Sequence, residues 1–312
     1  MTTTPAALPR PQIAVEPPCW RADELKVAVE AGGADVVSSE NATALIWADP
    51  QEPHLLAPIL SSNPHMDWIQ LPYAGIEPYL DVIDSDRRWT CGKGIYAEPV
   101  AEMAVTLALA GLRGLVTYSR AKTWGAPIGL ELRNANVVVL GGGGITEHLL
   151  LLLQPFNCDV TVVRKRATPL SGANRVVETN ELIPSLRSAD VVILALALTP
   201  ETRHIIGAAE LAAMPNHAWL INVARGAHIS NEALLDALTT GSIGGAALDV
   251  TDPEPLPDNH AFWNLPNCII TPHVANTPEM GLRLLKRRVT ENVRRYHQGE
   301  TLLGPVYAEL GY

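Results

Sequence analysis

What this chain lacks narrows its class before any motif is found. Its four cysteines, Cys19, Cys91, Cys158 and Cys268, have none of the short spacings that zinc sites or redox pairs use. They read as reduced and structural, and no disulfide-stapled secreted fold is expected. Positive charge is not in excess either: the formal net charge is −10, so bulk attraction to nucleic acid or to an anionic membrane is not expected. No stretch offers the roughly 18 apolar residues of a membrane span, and the opening MTTTPAALPRPQ has no basic segment leading into an apolar one. The cytoplasm is the expected compartment. Charged residues make up only 18% against 47% hydrophobic, the balance of a globular chain and not of a disordered or fibrous one. There is no repeat of fixed period and no low-complexity tract.

What is present is length enough for two lobes, 312 residues, and an alternation of short apolar runs with helical stretches. Strands are expected at 12–15, 34–37, 43–48 and 67–71, with helices near 21–31 and 53–62. The segment 99–119, opened by Pro99, reads as one long helix that is apolar on more than one face, hence buried or at a subunit interface. The pattern restarts with strands at 136–140, 159–163, 191–196, 218–223, 245–250 and 268–271, with a helix at 231–238. Such alternation implies parallel sheets flanked by helices. Basic clusters at Lys286 to Arg288 and at Arg294 with Arg295 fall on an expected C-terminal helix and read as solvated.

The strand ending at Leu140 runs into Gly141, Gly142, Gly143, Gly144, Ile145 and Thr146, after which a helix can form. This is the G-x-G-x-x-G dinucleotide fingerprint with Thr146 in place of its last glycine. Residues without side chains let the backbone approach a pyrophosphate, whose charge is favoured at a helix N-terminus. About 20 residues on, where a carboxylate would accept from the ribose 2′-hydroxyl, the chain instead reads Arg164, Lys165, Arg166. A cationic fork suits a 2′-phosphate, so NADP(H) is favoured over NAD(H). Three further pieces, NVARG (222–226), ALDVTDPEPLP (247–257) and ITPH (270–273), each sit at or just beyond the carboxyl end of an expected strand. An arginine, a glutamate and a histidine thereby gather where α/β folds collect ligands. None of the other histidines, His228 included, has a comparable setting. No cluster has metal-ligand spacing, and no metal is expected.

The stretch 198–226, with AALDVTDPEPLP and IITPH, closely resembles the D-isomer-specific 2-hydroxyacid dehydrogenases, and the likeness covers essentially the whole chain. PYAGIEPY (72–79) is similar to that family's substrate-carboxylate loop, and PVAEMAVTLALAGLR (99–113) to its dimerisation helix. The resemblance implies that Arg225 binds substrate, that Glu254 and His273 form the acid/base pair, that Asp249 lies near the nicotinamide, and that the backbone of Ala74 and Gly75 holds the substrate carboxylate beside Tyr73. Arg225 and His273 are thus shared between substrate and cofactor. The implied cofactor set is Gly141, Gly143, Gly144, Ile145, Arg164, Lys165, Leu198, Thr199, Thr202, Val223, Ala224, Arg225, Asp249 and His273. Departures from the family pattern are Thr146 for glycine, Ala197 where proline is common, Met103 where histidine is more usual, and Arg164 for the acidic residue.

Reduction of a 2-keto acid leaves charge on the carbonyl oxygen, so a general acid must stand within reach. His273 fits, with Glu254 favouring its imidazolium and fixing the ring, while Arg225 can fork onto carboxylate and carbonyl oxygen. The expectation is an α/β enzyme with two Rossmann-like or flavodoxin-like lobes and the active site in the cleft between them. Residues 1–98 plus 276–312 form the substrate lobe and 99–275 the cofactor lobe. The reaction is NADP(H)-linked interconversion of a small 2-keto acid and a D-2-hydroxy acid, glyoxylate or hydroxypyruvate by family likeness, in a homodimer. Rival readings are an NAD-linked dehydrogenase such as a phosphoglycerate dehydrogenase, against which Arg164 speaks, and a non-enzymatic dinucleotide sensor of the corepressor kind. A formate dehydrogenase fits less well, because that relative carries glutamine where Glu254 stands.

Overall fold

In the computed structural model the chain divides into two compact units, residues 1–96 with 277–312 and residues 97–276. Residues 9–307 are described. The first eight residues of the opening segment and the last five of the chain, both assigned to the substrate lobe by the sequence, lie outside the described residues.

The first unit runs β1 (Gln12–Glu16), α1 (Ala22–Ala31), β2 (Asp35–Val36), β3 (Ala44–Trp47), α2 (Leu56–Ser62), β4 (Trp68–Gln70) and β5 (Arg88–Thr90). Its five strands are all parallel, in the order β2-β1-β3-β4-β5. Every residue of β3 and β4 is buried, as in a parallel sheet covered on both faces; β3 is accordingly apolar throughout, and β4 is apolar except for Gln70. The chain turns from β1 to β2 on one side and then crosses to β3 on the other, so the strand order reverses between β1 and β3. The unit is completed by the helix Pro278–Gln298, begun by Thr277, whose hydroxyl accepts from the Met280 amide, and ended by Gly299 in the left-handed region at φ 69°. Leu282, Leu285, Val289 and Val293 of this helix pack into one core with Ile13, Leu25, Val29 and Trp68.

The basic clusters on that helix are not simply solvated, as the sequence suggests. Lys286 pairs with Glu24 of α1, and Arg288 donates to the carbonyls of Cys91 and Lys93 at 3.1 Å each. Arg294 and Arg295 both grip Glu291, at 2.8 and 2.6 Å, and Arg294 also reaches Glu300. The clusters fasten the helix to its unit because carboxylates and carbonyls lie opposite them, which charge counting along the chain does not reveal.

The second unit begins with α3 (Ala97–Leu112) and α4 (Leu115–Arg120), followed by β6 (Asn136–Leu140), α5 (Gly144–Leu153), β7 (Asp159–Val163), β8 (Arg175–Val177), α6 (Leu182–Leu186) and β9 (Val191–Leu194). It continues with α7 (Ala208–Ala213), β10 (Trp219–Asn222), α8 (Asn231–Thr240), β11 (Gly245–Leu248) and β12 (Cys268–Ile270). Seven parallel strands lie in the order β12-β11-β10-β9-β6-β7-β8, with the reversal between β6 and β9.

The single helix expected over 99–119 is two. Gly114, at φ 62°, breaks it, and Pro99 is the third residue of α3, inside the first turn where no amide hydrogen bond is lost. From Arg113 to Glu131 almost every residue is exposed, Leu115, Tyr118, Ile128 and Leu130 among them, and Trp124 is wholly so. The four cysteines are free. Among the described residues no helix is long and apolar enough to cross a membrane.

Candidate active site

The second unit gathers its candidate residues on loops that leave the carboxyl ends of β6, β7, β9, β10, β11 and β12. After β6 the backbone turns at Gly141, at φ 108°, and a Cβ there would meet the Ala195 carbonyl oxygen at 2.2 Å; only glycine fits. Thr146 stands where the fingerprint has its last glycine. It is wholly buried, and its hydroxyl donates to the Gly141 carbonyl at 3.0 Å, closing the turn from inside. The amides of Gly142, Gly143, Gly144 and Ile145 engage no acceptor among the described residues. Four unengaged donors at the start of a ten-residue helix make the cradle that a pyrophosphate requires, so the residues present fit a dinucleotide.

Arg164 is the first residue past β7, its amide held by the Val177 carbonyl at 3.0 Å. Its side chain lies against the glycine turn: a Cβ on Gly142 would meet Arg164 Nε at 2.8 Å. No described residue accepts from its guanidinium. Lys165 is exposed; the Glu201 carboxyl is held below the usual range chiefly by the Thr199 hydroxyl, with a weaker share from the Lys165 charge. After β9, the Thr202 hydroxyl accepts from the Thr199 amide and donates to the Ala197 carbonyl, both at 2.8 Å, which fixes the loop carrying Leu198 and Thr199.

The NVARG turn after β10 is built by two residues that the sequence reading passed over. Asn222, wholly buried, accepts from the Ala224 amide through Oδ1 at 3.0 Å and donates to the Arg225 carbonyl through Nδ2 at 2.9 Å. Both bonds fix the turn of Val223, Ala224 and Arg225. His228, dismissed by sequence as lacking context, is also wholly buried, with Nδ1 facing the Arg225 amide at 3.2 Å and carbonyl at 3.0 Å. Burial pulls its pKa down, outweighing the nearby carbonyls. The Arg225 guanidinium folds onto the Ala224 carbonyl at 2.8 Å. Gly226 follows because a Cβ would strike the Thr251 carbonyl carbon at 1.9 Å, so the arginine loop lies directly on the loop that leads to Glu254.

His273 and Glu254, 19 residues apart, meet with Nδ1 and Oε1 separated by 2.5 Å. His273 Nε2 is left without a partner among the described residues. The His273 backbone has φ 54°, a region that non-glycine residues rarely enter, at a cost of about 1–3 kcal/mol. Asp249, only 2% exposed, over-determines that conformation. Its carbonyl accepts from the His273 amide at 2.8 Å. Its carboxylate accepts from the Thr271 hydroxyl and the Val274 amide through one oxygen and from the Ala275 amide through the other, at 2.5–3.0 Å. Asp249 therefore organises the histidine loop.

Tyr73, Ala74 and Gly75 are carried by the first unit, on the loop after β4. The amides of Ala74 and Gly75 engage no acceptor among the described residues, and Ala74 is exposed.

Residues 103–275 match the model of the D-isomer specific 2-hydroxyacid dehydrogenase NAD binding domain. A Corynebacterium melassecola protein described as an uncharacterized protein in the proB 3′ region is 35% identical over 91% of this chain and 95% of its own length. Glyoxylate/hydroxypyruvate reductase A of Photorhabdus laumondii subsp. laumondii is 29% identical over 86% of this chain and 87% of its own. Among solved structures, a D-isomer specific 2-hydroxyacid dehydrogenase from Xanthobacter autotrophicus Py2, in complex with NADPH and MES, superimposes with a TM-score of 0.83 at 26% identity, covering 97% of this chain and 100% of that one. The chain belongs to the D-isomer specific 2-hydroxyacid dehydrogenases, oxidoreductases that work with a nicotinamide dinucleotide.

Proposed function

We propose that this protein reduces a small 2-keto acid, glyoxylate or hydroxypyruvate by preference, to the D-2-hydroxy acid, with NADP(H) favoured over NAD(H). The observation that carries the reading is the 2.5 Å contact between His273 Nδ1 and Glu254, which turns Nε2 outward with no competing partner. When bound, the nicotinamide supplies the hydride. His273 Nε2 holds the proton that neutralises the carbonyl oxygen as it becomes an alkoxide. Glu254 takes the far side of the ring and fixes its orientation. Arg225 orients the keto acid and stabilises the developing charge, and the amides of Ala74 and Gly75 receive the carboxylate. The pair is half-exposed, 50% and 42% at the side chains, so its value lies in orientation and proton transfer and not in stability.

Arg164 supports the cofactor preference. A guanidinium beside the glycine turn with no acceptor of its own suits a 2′-phosphate, and a charged hydrogen bond of about 1.5–3 kcal/mol corresponds to about ten- to a hundredfold in preference. The Xanthobacter structure in complex with NADPH agrees with this choice, and the name of the Photorhabdus reductase agrees with the substrate class. The test is a panel of 2-keto acids assayed with NADPH and NADH, on wild type and on Arg164→Asp. Wild type is expected to favour NADPH, and R164D to lose most of that preference; an unchanged KM for NADPH in the variant would refute the role of Arg164. The exposed apolar side chains of 113–131, adjoining α3, support a homodimer. Light scattering at micromolar concentration is expected to return twice the chain mass.

A further inference from the structure

Arg21 is the first residue past the proline-rich turn after β1, and it is 5% exposed. Its Nη2 donates to the Tyr73 hydroxyl at 2.8 Å, while its Nε has no partner. No carboxylate among the described residues pairs with it. Asp49 comes near enough for its charge, like that of Arg21, to be felt at the Tyr79 hydroxyl, but the Asp49 carboxylate accepts from the Gln51 amide instead. The guanidinium lies 5.2 Å from the ring centroids of both Trp20 and Tyr73. Aromatic faces and one phenol compensate a buried cation only in part, and a group with five donors and one acceptor among its neighbours calls for an anion.

Two independent observations say where that anion belongs. In open parallel sheets ligands collect beyond the carboxyl ends of the strands, at the point where strand order reverses. In the first unit that point lies between β1 and β3, and the loop after β1 is the one that carries Arg21. The loop it grips, after β4, presents the unengaged amides of Ala74 and Gly75. That loop is braced from behind: the Gly92 amide donates to the Tyr73 carbonyl at 2.9 Å, and a Cβ on Gly92 would sit 3.0 Å from the Pro72 carbonyl oxygen. A phenol oxygen that accepts from Arg21 directs its own hydrogen elsewhere.

We propose that Arg21 is a positioning residue for the substrate carboxylate: by donating to the Tyr73 oxygen it turns the phenolic proton toward the ligand, and the carboxylate, held also by the amides of Ala74 and Gly75, supplies the counter-charge that the buried guanidinium lacks. This rests on the reading of the chain as a 2-keto acid reductase and deepens it, because it makes the charge of the carboxylate a requirement of the first unit.

The experiment compares glyoxylate with its neutral methyl ester in wild type, Arg21→Met, Arg21→Lys and Tyr73→Phe. The readout is the ratio of kcat/KM for acid over ester, which is independent of the fraction of each preparation that is folded. In R21M the ratio is expected to fall ten- to a hundredfold, carried by KM for glyoxylate, with R21K recovering much of the loss. Y73F is expected to match R21M, and the double variant to add little to either single one, since both act through one hydrogen bond. An acid-to-ester ratio unchanged in R21M and Y73F, or losses that add fully, would overturn the proposal. If wild type turns over no 2-keto acid with either cofactor, the reductase reading fails on its own. Calorimetric binding of glyoxylate then decides for Arg21: tenfold weaker binding in R21M retains it, and equal binding ends it.

Discussion

At the scale of single residues, the site depends on side chains whose own polar atoms are already fixed. His273 occupies a costly backbone conformation because Asp249 accepts from four donors around it, and this leaves Nε2 as the one uncommitted atom of the ring. His273→Gln is expected to cut turnover about 10²-fold or more, the loss assigned to a missing general acid, with steady-state kinetics as the check. His228 presents the opposite case, a buried imidazole held neutral by lack of solvent. Because its folded pKa lies below the unfolded value of about 6.5, the unfolded chain takes up a proton first as pH falls. Stability linked to His228 is therefore constant above pH ~6.5 and declines below it, by at most about 1.4 kcal/mol per pH unit, levelling off once the folded pKa is passed. Urea midpoints measured at pH 8 and pH 5.5 in wild type and His228→Asn should show this acid-side loss in wild type, with a smaller loss in the variant.

At the scale of elements, close approach decides which substitutions the packing tolerates. Helix α3 lies so near β10 that a Cβ on Gly111 would meet the Trp219 ring at 2.3 Å. Gly111→Ala removes a flexible residue from a helix interior, which favours folding by up to about 1 kcal/mol, but the overpacking costs about 1–3 kcal/mol. Net destabilisation is expected, read as a lower denaturant midpoint. The same scale shows what sequence reveals. β9 and β11, buried throughout, are apolar along their length, and β6, β7 and β10 carry apolar runs interrupted only by Asn136, Asp159, Thr161 and Asn222; all are legible as runs. Arg88–Thr90 and Arg175–Val177, three residues each and opening on an exposed arginine, carry no such signal. The residues of the site at strand ends were legible because strand and motif adjoin. Asn222 and His228 were not, since their role lies in a turn whose hydrogen bonds no periodicity encodes, and Arg21 acts on a residue 52 positions away. The break at Gly114 was missed because apolar character continues through it while the backbone does not.

At the scale of the whole molecule, each unit has its own sheet and its own core, but the chain passes from the first to the second and back again. The first unit borrows its last helix from the C-terminal end, with Leu285, Val289 and Val293 essentially without exposure. Each buries about 1.5–3 kcal/mol of apolar side chain. A fragment of residues 97–276 is therefore expected to unfold cooperatively on its own, followed by circular dichroism. A chain truncated after residue 276 should keep that transition while Trp47 and Trp68, both wholly buried, shift their fluorescence to the red. Blue-shifted emission in the truncated chain would show that the first unit stands without its borrowed helix.

That borrowed helix also sets an order of events on the ribosome. When synthesis has reached Tyr96, the first sheet has all five of its strands but not the helix that covers Ile13, Val29 and Trp68. The cover arrives only after some 200 further residues, roughly 10–40 s at common elongation rates. Throughout that interval the second unit can form and close, while an apolar sheet face waits in the open. The portion of the polypeptide made first is thus the last to mature, and it is the portion for which a chaperone has the longest opportunity.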